Sequence, residues 1–226
     1  MSGLEPDRRQ KPPFSCTLEV LACIETLNEQ NPDRIPRDSL DNIVDMLANS
    51  NLLPHELEQI GERVFMLGFQ TLAASLRLEE TYTVSSPSYQ KAATQADDFF
   101  YFVAKVDRMI ASFPRPKTGN EIVTGSFEPE GLSERVEILI SALKGIAGEE
   151  DGAVSSDDLI EVFEDPATTR KDLDAIRQVT LSSGRAIIQD SQGEDSTLQV
   201  ALGYLELAIR AERVSQKRFG LWTQDK

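Results

Sequence analysis

Seven apolar residues, Ala92, Ala96, Phe99, Val103, Val106, Ile110 and Phe113, follow one another at steps of 4, 3, 4, 3, 4 and 3. Alternating steps of three and four draw one continuous seam along an α-helix and suit it to side-by-side packing in a bundle. Pro114 and Pro116 end this helix, because proline cannot donate to the helical ladder and clashes with the preceding turn. A seam of that length sets the fold class, since other helices must cover it.

The rest of the chain supplies them. Leu18, Leu21, Ile24 and Leu27 predict a first helix, with Ser15 placed to cap it and Pro32 and Pro36 beyond its end. Leu40, Ile43, Val44 and Leu47 predict a second, beginning at Asp38 or Ser39 and stopping near Asn49. Pro54 opens a third. Its stripe of Leu57, Ile60, Val64, Leu67, Ala74 and Leu78 is widened by Phe65, Phe69, Leu72 and Leu76, which makes it the expected centre of the bundle. Gly61 and Gly68 interrupt this helix. A helix-interior glycine costs about 1 kcal/mol, so the pair points to close approach of a neighbour.

Four more helices follow the seam. Leu132, Val136, Leu139, Leu143 and Ile146 mark one, and Leu159, Ile160, Val162 and Phe163 a short one capped by Ser156 or Asp157. Leu173, Ile176, Val179, Ala186 and Ile187 mark a third, starting at Thr168 or Thr169 and interrupted at Ser182-Ser183-Gly184. The last carries Leu198, Leu202, Leu205 and Ile209 after Asp195 or Ser196. With no strand alternation, we expect an all-α bundle of about eight helices, the long heptad-spaced ones lying in the C-terminal two-thirds.

Residues 1–13 form an expected flexible tail, and 14–226 a single all-α domain. A division into a three-helix unit, 14–79, and a four- to five-helix bundle, 88–222, stays open. Residues 79–90 are the connector between them, with Tyr82 and Val84 offering at most a short extended piece. The stretch 114–131, rich in proline and glycine, is a long loop of the kind that is often functional.

Charge narrows the function. Thirty-eight Asp and Glu against 23 Lys and Arg give −15. That balance disfavours direct nucleic-acid binding, which displaces counterions with an excess of cations, and equally an anionic membrane surface. No apolar run reaches the roughly 20 residues that span a bilayer, and the N-terminus lacks the apolar core of a signal peptide. Cys16 and Cys23 are expected to be reduced, placing the chain in the cytoplasm. His55, the sole histidine, is an expected surface residue. No P-loop, dinucleotide fingerprint or GxSxG elbow occurs, and no cofactor is expected.

Two acid pairs invite a catalytic reading. Asp97-Asp98-Phe99-Phe100-Tyr101 and Asp157-Asp158-Leu159-Ile160-Glu161 resemble the aspartate-rich boxes of isoprenoid synthases, where DDxx(D/E) on a helix holds Mg²⁺ that grips a diphosphate. The resemblance implies a Mg-dependent enzyme using Asp97, Asp98, Asp157, Asp158 and Glu161, since acids one turn apart converge on one hard cation. The first box ends in Tyr101 where the pattern has a carboxylate, and the second begins a helix, where acids cap and meet the dipole. The blander expectation makes these pairs solvated helix edges and leaves the catalytic residues as none.

Ala147 to Asp158 resembles part of an EF-hand loop, with Gly152 in the sixth place, but Ala147 stands where a carboxylate is needed and Asp158 where the bidentate Glu belongs, so no metal is expected. Residues 38–50 and 55–78 outline a helix-turn-helix, yet the second helix offers only Arg63 and Arg77 for phosphates.

Partner surfaces are better supported. Residues 149–165 carry Glu149, Glu150, Asp151, Asp157, Asp158, Glu161, Glu164 and Asp165 and no base, which suits steering onto a basic partner. Arg210, Arg213, Lys217, Arg218, Phe219 and Trp222 have the composition of a docking tail, although a fold-back onto the bundle is the plainer expectation. We therefore expect a non-enzymatic protein acting through protein–protein contacts as an adaptor, regulatory or assembly factor. A heptad seam also serves self-association, so a homodimer stays open. The alternatives are the Mg-dependent enzyme and an acidic mimic of nucleic acid that occupies a basic partner.

Overall fold

The computed structural model describes residues 14–78, 86–113, 131–147 and 156–220. Eight helices occupy them: α1 (Thr17–Gln30), α2 (Arg37–Ala48), α3 (Pro54–Leu78), α4 (Pro87–Ser112), α5 (Glu134–Ala147), α6 (Ser156–Glu164), α7 (Arg170–Asp190) and α8 (Asp195–Phe219). No strand occurs among the described residues, so the fold is an all-α bundle.

Two antiparallel pairs form its frame, α3 with α4 and α7 with α8. Glycine sets both spacings. A Cβ on Gly68 would lie 2.8 Å from the Phe100 ring and 3.2 Å from the Phe99 Cβ. At Gly61 the nearest atoms are 3.8 Å away, ordinary contact, so only one of the two predicted close approaches exists. Gly184 does the same for the second pair, where a Cβ would meet Leu205 at 2.9 Å and the Ala201 carbonyl at 3.3 Å. This explains why Ser182-Ser183-Gly184 does not interrupt α7, as we expected it to. The Ser182 hydroxyl donates back to the Val179 carbonyl, and the glycine admits α8 without breaking the helix.

The centre is α4, not α3. Every residue from Ala96 to Ala104 is buried, because α3 covers one side and α2, α7 and α8 the others. The predicted seam is buried from Ala92 to Val106 and emerges at Ile110 and Phe113. α4 also begins earlier than the expected connector allowed. Ser86 is its N-cap, accepting the Tyr89 N–H at 3.1 Å, and Pro87 takes the first turn, so the Ser-Pro pair is a start signal.

The apolar core falls into two clusters. One joins α1, α2, α3 and α4 to Leu198, Ala201, Leu202, Leu205 and Ile209 on one face of α8. The other joins α5, α6 and α7 to Tyr204, Ala211 and Val214 on its opposite face. α8 thus carries two apolar stripes. At the start of α7, Thr169 and Asp172 form a reciprocal capping box, and Asp172 also accepts the Ser133 N–H at 2.9 Å, tying α5 to α7. Burial works to raise the Asp172 carboxyl, but hydrogen bonds from Ser133 and Thr169 outweigh it and hold the group below its ordinary value.

Among the described residues, no helix is long and apolar enough to cross a membrane. Tyr82, Val84, the 114–130 part of the long loop, most of the EF-hand-like loop and the N-terminal tail lie outside the described residues.

Candidate functional site

Asp97 and Asp98 sit in the middle of α4, and neither is a solvated helix edge. Asp98 has no exposed surface and Asp97 retains 8%. The expectation failed because α4 has neighbours on all sides, so even its polar positions go inside.

Their partners come from the connector between α1 and α2. The Ile35 N–H donates to Asp98 Oδ2 at 2.8 Å, and the Arg34 Nε lies 3.7 Å from Oδ1. Arg37, the first residue of α2, donates through Nη2 to Asp97 Oδ2 at 3.0 Å and through Nη1 pairs with Asp195, at the start of α8. The same face of α4 holds the connector at two further points and α2 at one. Lys91 pairs with Asp33 at 2.7 Å, Gln95 donates to the Pro32 carbonyl at 2.7 Å, and the Tyr101 hydroxyl donates to the Asp41 carboxylate at 2.8 Å. Arg37 also lies 4.5 Å from the centre of the Tyr101 ring.

Burial decides the electrostatics. It pushes the Asp98 carboxyl up to about 6, against the opposing pull of the Ile35 amide and the Arg34 guanidinium. It raises Asp97 as well, less strongly, because Arg37 stands closer. Tyr101 rises to about 12, through burial and its bond to Asp41. Asp97 Oδ1, Asp98 Oδ1 and the Arg37 Nε are buried without a hydrogen-bond partner.

A carboxyl near 6 has the right acidity for proton transfer at neutral pH, yet a general acid must also reach its substrate. Asp98 is closed off by Ile35 and α4 itself. What the pair does chemically is to fasten the connector, and with it α2, to the core.

The other acids of the two boxes are placed differently. Glu161, on α6, is exposed and paired with Arg135 of α5. The side chains of Asp157 and Asp158 lie outside the described residues, as do Glu149, Glu150 and Asp151. Among the described residues, no group of three or more His, Cys, Asp or Glu is arranged to hold a metal ion.

The basic end of α8 turns inward. Arg213 donates to the Leu76 carbonyl near the C-terminus of α3. Arg218 donates to the Asp165 carbonyl at 2.7 Å and to the Phe163 carbonyl, at the C-terminal end of α6. Both guanidiniums satisfy carbonyls that a helix leaves open at its end. Arg210 lies beside Glu206, Lys217 is exposed, and Phe219 is 44% exposed. Trp222 lies outside the described residues.

Clefts open on the surface formed by the described residues. One, of about 680 Å³, is bounded by Glu58 and Glu62 of α3, Asp107 of α4 and Arg185 of α7, and the Asp107–Arg185 pair bridges it through two hydrogen bonds. Another, of about 510 Å³, runs between the N-terminal halves of α4 and α8. Arg37, Asp97 and Asp195 line its rim, and Ala93, Leu202 and Gly203 its apolar part. Sequence reasoning missed Arg34, Arg37, Asp195 and Glu206 here. The signal for the first two was the bracket Pro32-Asp33-Arg34-Ile35-Pro36-Arg37, where cations sit on an extended connector. Compared with protein-family models, curated proteins and solved structures, the chain matches none of them.

Proposed function

We propose that the chain works by binding another protein, as a non-enzymatic adaptor, regulatory or assembly factor. One observation carries this reading: Asp98 is wholly buried and tied to Ile35 and Arg34, so the acid pair best suited to grip a cation serves to hold the fold together. The net charge of −15 adds complementarity to a basic partner and steers its approach. Cys16 and Cys23, half-buried and free, fit a reducing compartment such as the cytoplasm.

The test is recovery from the native cell by cross-linking and affinity capture of the full chain, with the complex sized by light scattering. A defined complex with a second protein is the expected result. Recovery as the free 25.1 kDa chain would contradict it. Deletion of residues 210–226 is a poor control, because it removes Arg213 and Arg218 from the ends of α3 and α6. Trp222 is better tested by Trp222→Ala.

A further inference from the structure

The connector between α1 and α2 lies over Asp98, and both its ends are anchored independently of it. Val20 and Ile24 root α1 in the core, and Leu40, Ile43 and Leu47 root α2. Between these roots the amides of Asp33, Arg34 and Ile35 donate to no backbone carbonyl among the described residues, and Pro32 and Pro36 have no N–H to give. Ile35 is the one buried side chain of residues 32–36. The rest of the hold is polar: Lys91 with Asp33, Gln95 with the Pro32 carbonyl, and Arg34, its side chain 59% exposed, beside Asp98.

Beneath this segment Asp98 has no exposed surface. Its Oδ2 accepts the Ile35 N–H, while Oδ1 accepts no hydrogen bond. Such an oxygen is costlier to bury charged than protonated. Arg34 and Arg37 favour the charge, and Asp97, next along α4, opposes it. Arg37 is shared with Asp97 and with Asp195 of α8, and Glu206, further along α8, faces Arg210. α2 also brings Asp41, which accepts from Tyr101, and the exposed Asp38 and Asp45. The acids of α1, Glu19, Glu25 and Glu29, are exposed. The described charges of α3, Glu56 to Arg63, lie towards the C-terminal end of α4, where Gly61 meets Val106 and Asp107. α7 brings Arg185, which is paired with Asp107. Burial outweighs the two guanidiniums and pushes the Asp98 carboxyl up to about 6.

We infer that residues 32–36 act as a pH-sensitive strap, closed over Asp98 while its carboxyl holds a proton and opening locally, with α1 and α2 still in place, when that carboxyl ionises. Opening lets water solvate the carboxylate and gives up one buried side chain, Ile35, with the polar contacts of residues 32–35. Global unfolding would give up the whole core. Openings are most frequent near neutral pH, and acidification from about pH 7 to 5 makes them about tenfold rarer. The strap operates whether or not a partner protein binds.

Amide hydrogen exchange on the full ¹⁵N-labelled chain tests it, read at Ile35 and, as a core reference, at Leu205, where reclosing outruns exchange. With the intrinsic rate divided out, Ile35 protection should fall about fiftyfold between about pH 4 and 7. At pH 7, urea up to about 1 M should leave the Ile35 rate unchanged while speeding Leu205, because a local opening exposes little new surface. Asp98→Asn keeps an acceptor for the Ile35 amide and removes the charge, so its Ile35 protection should stay nearly constant over the same pH range. An Ile35 rate that follows urea as that of Leu205 does, wild-type protection independent of pH, or an equal fall in Asp98→Asn would overturn the strap. If the Asn variant fails to fold, the wild-type pH and urea series decide by themselves.

Discussion

The Asp98 carboxylate accepts the Ile35 N–H at 2.8 Å, joining the buried middle of α4 to a connector 63 residues earlier. Ile35 is itself wholly buried, flanked by Pro32 and Pro36, and its amide has no helix in which to find a partner. An unpaired buried amide is expensive. The aspartate answers that need, at the expense of burying its own charge.

Removal of the acceptor should therefore be costly. Asp98→Ala leaves the Ile35 amide unpaired and is expected to destabilise the fold by about 2–4 kcal/mol in urea denaturation. A loss under about 0.5 kcal/mol, the range of ordinary surface substitutions, would show that the tie is weak.

Stability should also depend on pH in a specific window. A carboxyl raised to about 6 in the folded chain, against an unfolded value near 3.8, favours folding most when protonated. Its stabilising contribution is complete below about pH 3.8 and is lost as pH rises through 6, a change of about 3 kcal/mol at the upper end. Asp97 and Glu206, also raised, act in the same sense, while Asp172, held low, withdraws its stabilisation only as pH falls below the ordinary carboxyl range. Thermal unfolding of wild type and Asp98→Asn across about pH 4 to 7.5 checks the sign: the wild type should gain stability on acidification through this window, and the Asn variant should show a flatter profile.

The glycines give a second, independent contrast. Gly68→Ala drives a methyl into Phe100 and should cost about 1–3 kcal/mol, the usual range for overpacking. Gly61→Ala meets only ordinary contacts and should gain up to about 1 kcal/mol from helix propensity. Calorimetric melting temperatures of the two variants should move in opposite directions, and a shared fall would mean that α3 and α4 lie closer at Gly61 than the structure has them.

Arg218 offers a local test. Arg218→Ala withdraws two donors from the end of α6 and should speed amide hydrogen exchange there, with α1 and α2 unaffected. Exchange rates in α6 equal to those of the wild type would show that the contact does not hold this helix.

The number and type of the helices were legible in the sequence because each carries its own apolar period, and proline or a capping residue marks most of their ends. Which helix lies at the centre was not legible. α3 is apolar around more of its circumference, but α4 is buried on all sides, and its Asp97, Asp98 and Tyr101 are accepted there only because Arg34, the Ile35 amide, Arg37 and Asp41 meet them. Spacing along a helix shows a stripe; it cannot show a partner 60 residues away. The same limit hid which groups Arg213 and Arg218 would meet: a fold-back onto the bundle was the plainer expectation, but not that their guanidiniums close the ends of α3 and α6. Gly184 resembled a break for a related reason, since the helix that fills the space beside it is α8.

The most direct measurement is a ¹³C NMR titration of the Asp98 side-chain carboxyl, with and without millimolar Mg²⁺. If the carboxyl is sealed under the α1–α2 connector as a fastening of the fold, its midpoint lies near 6 and does not move when the metal is added. A midpoint near the ordinary 3.8, or one that drops on adding Mg²⁺, would mean that solvent and cations reach this aspartate, and the structural role assigned to it would fall.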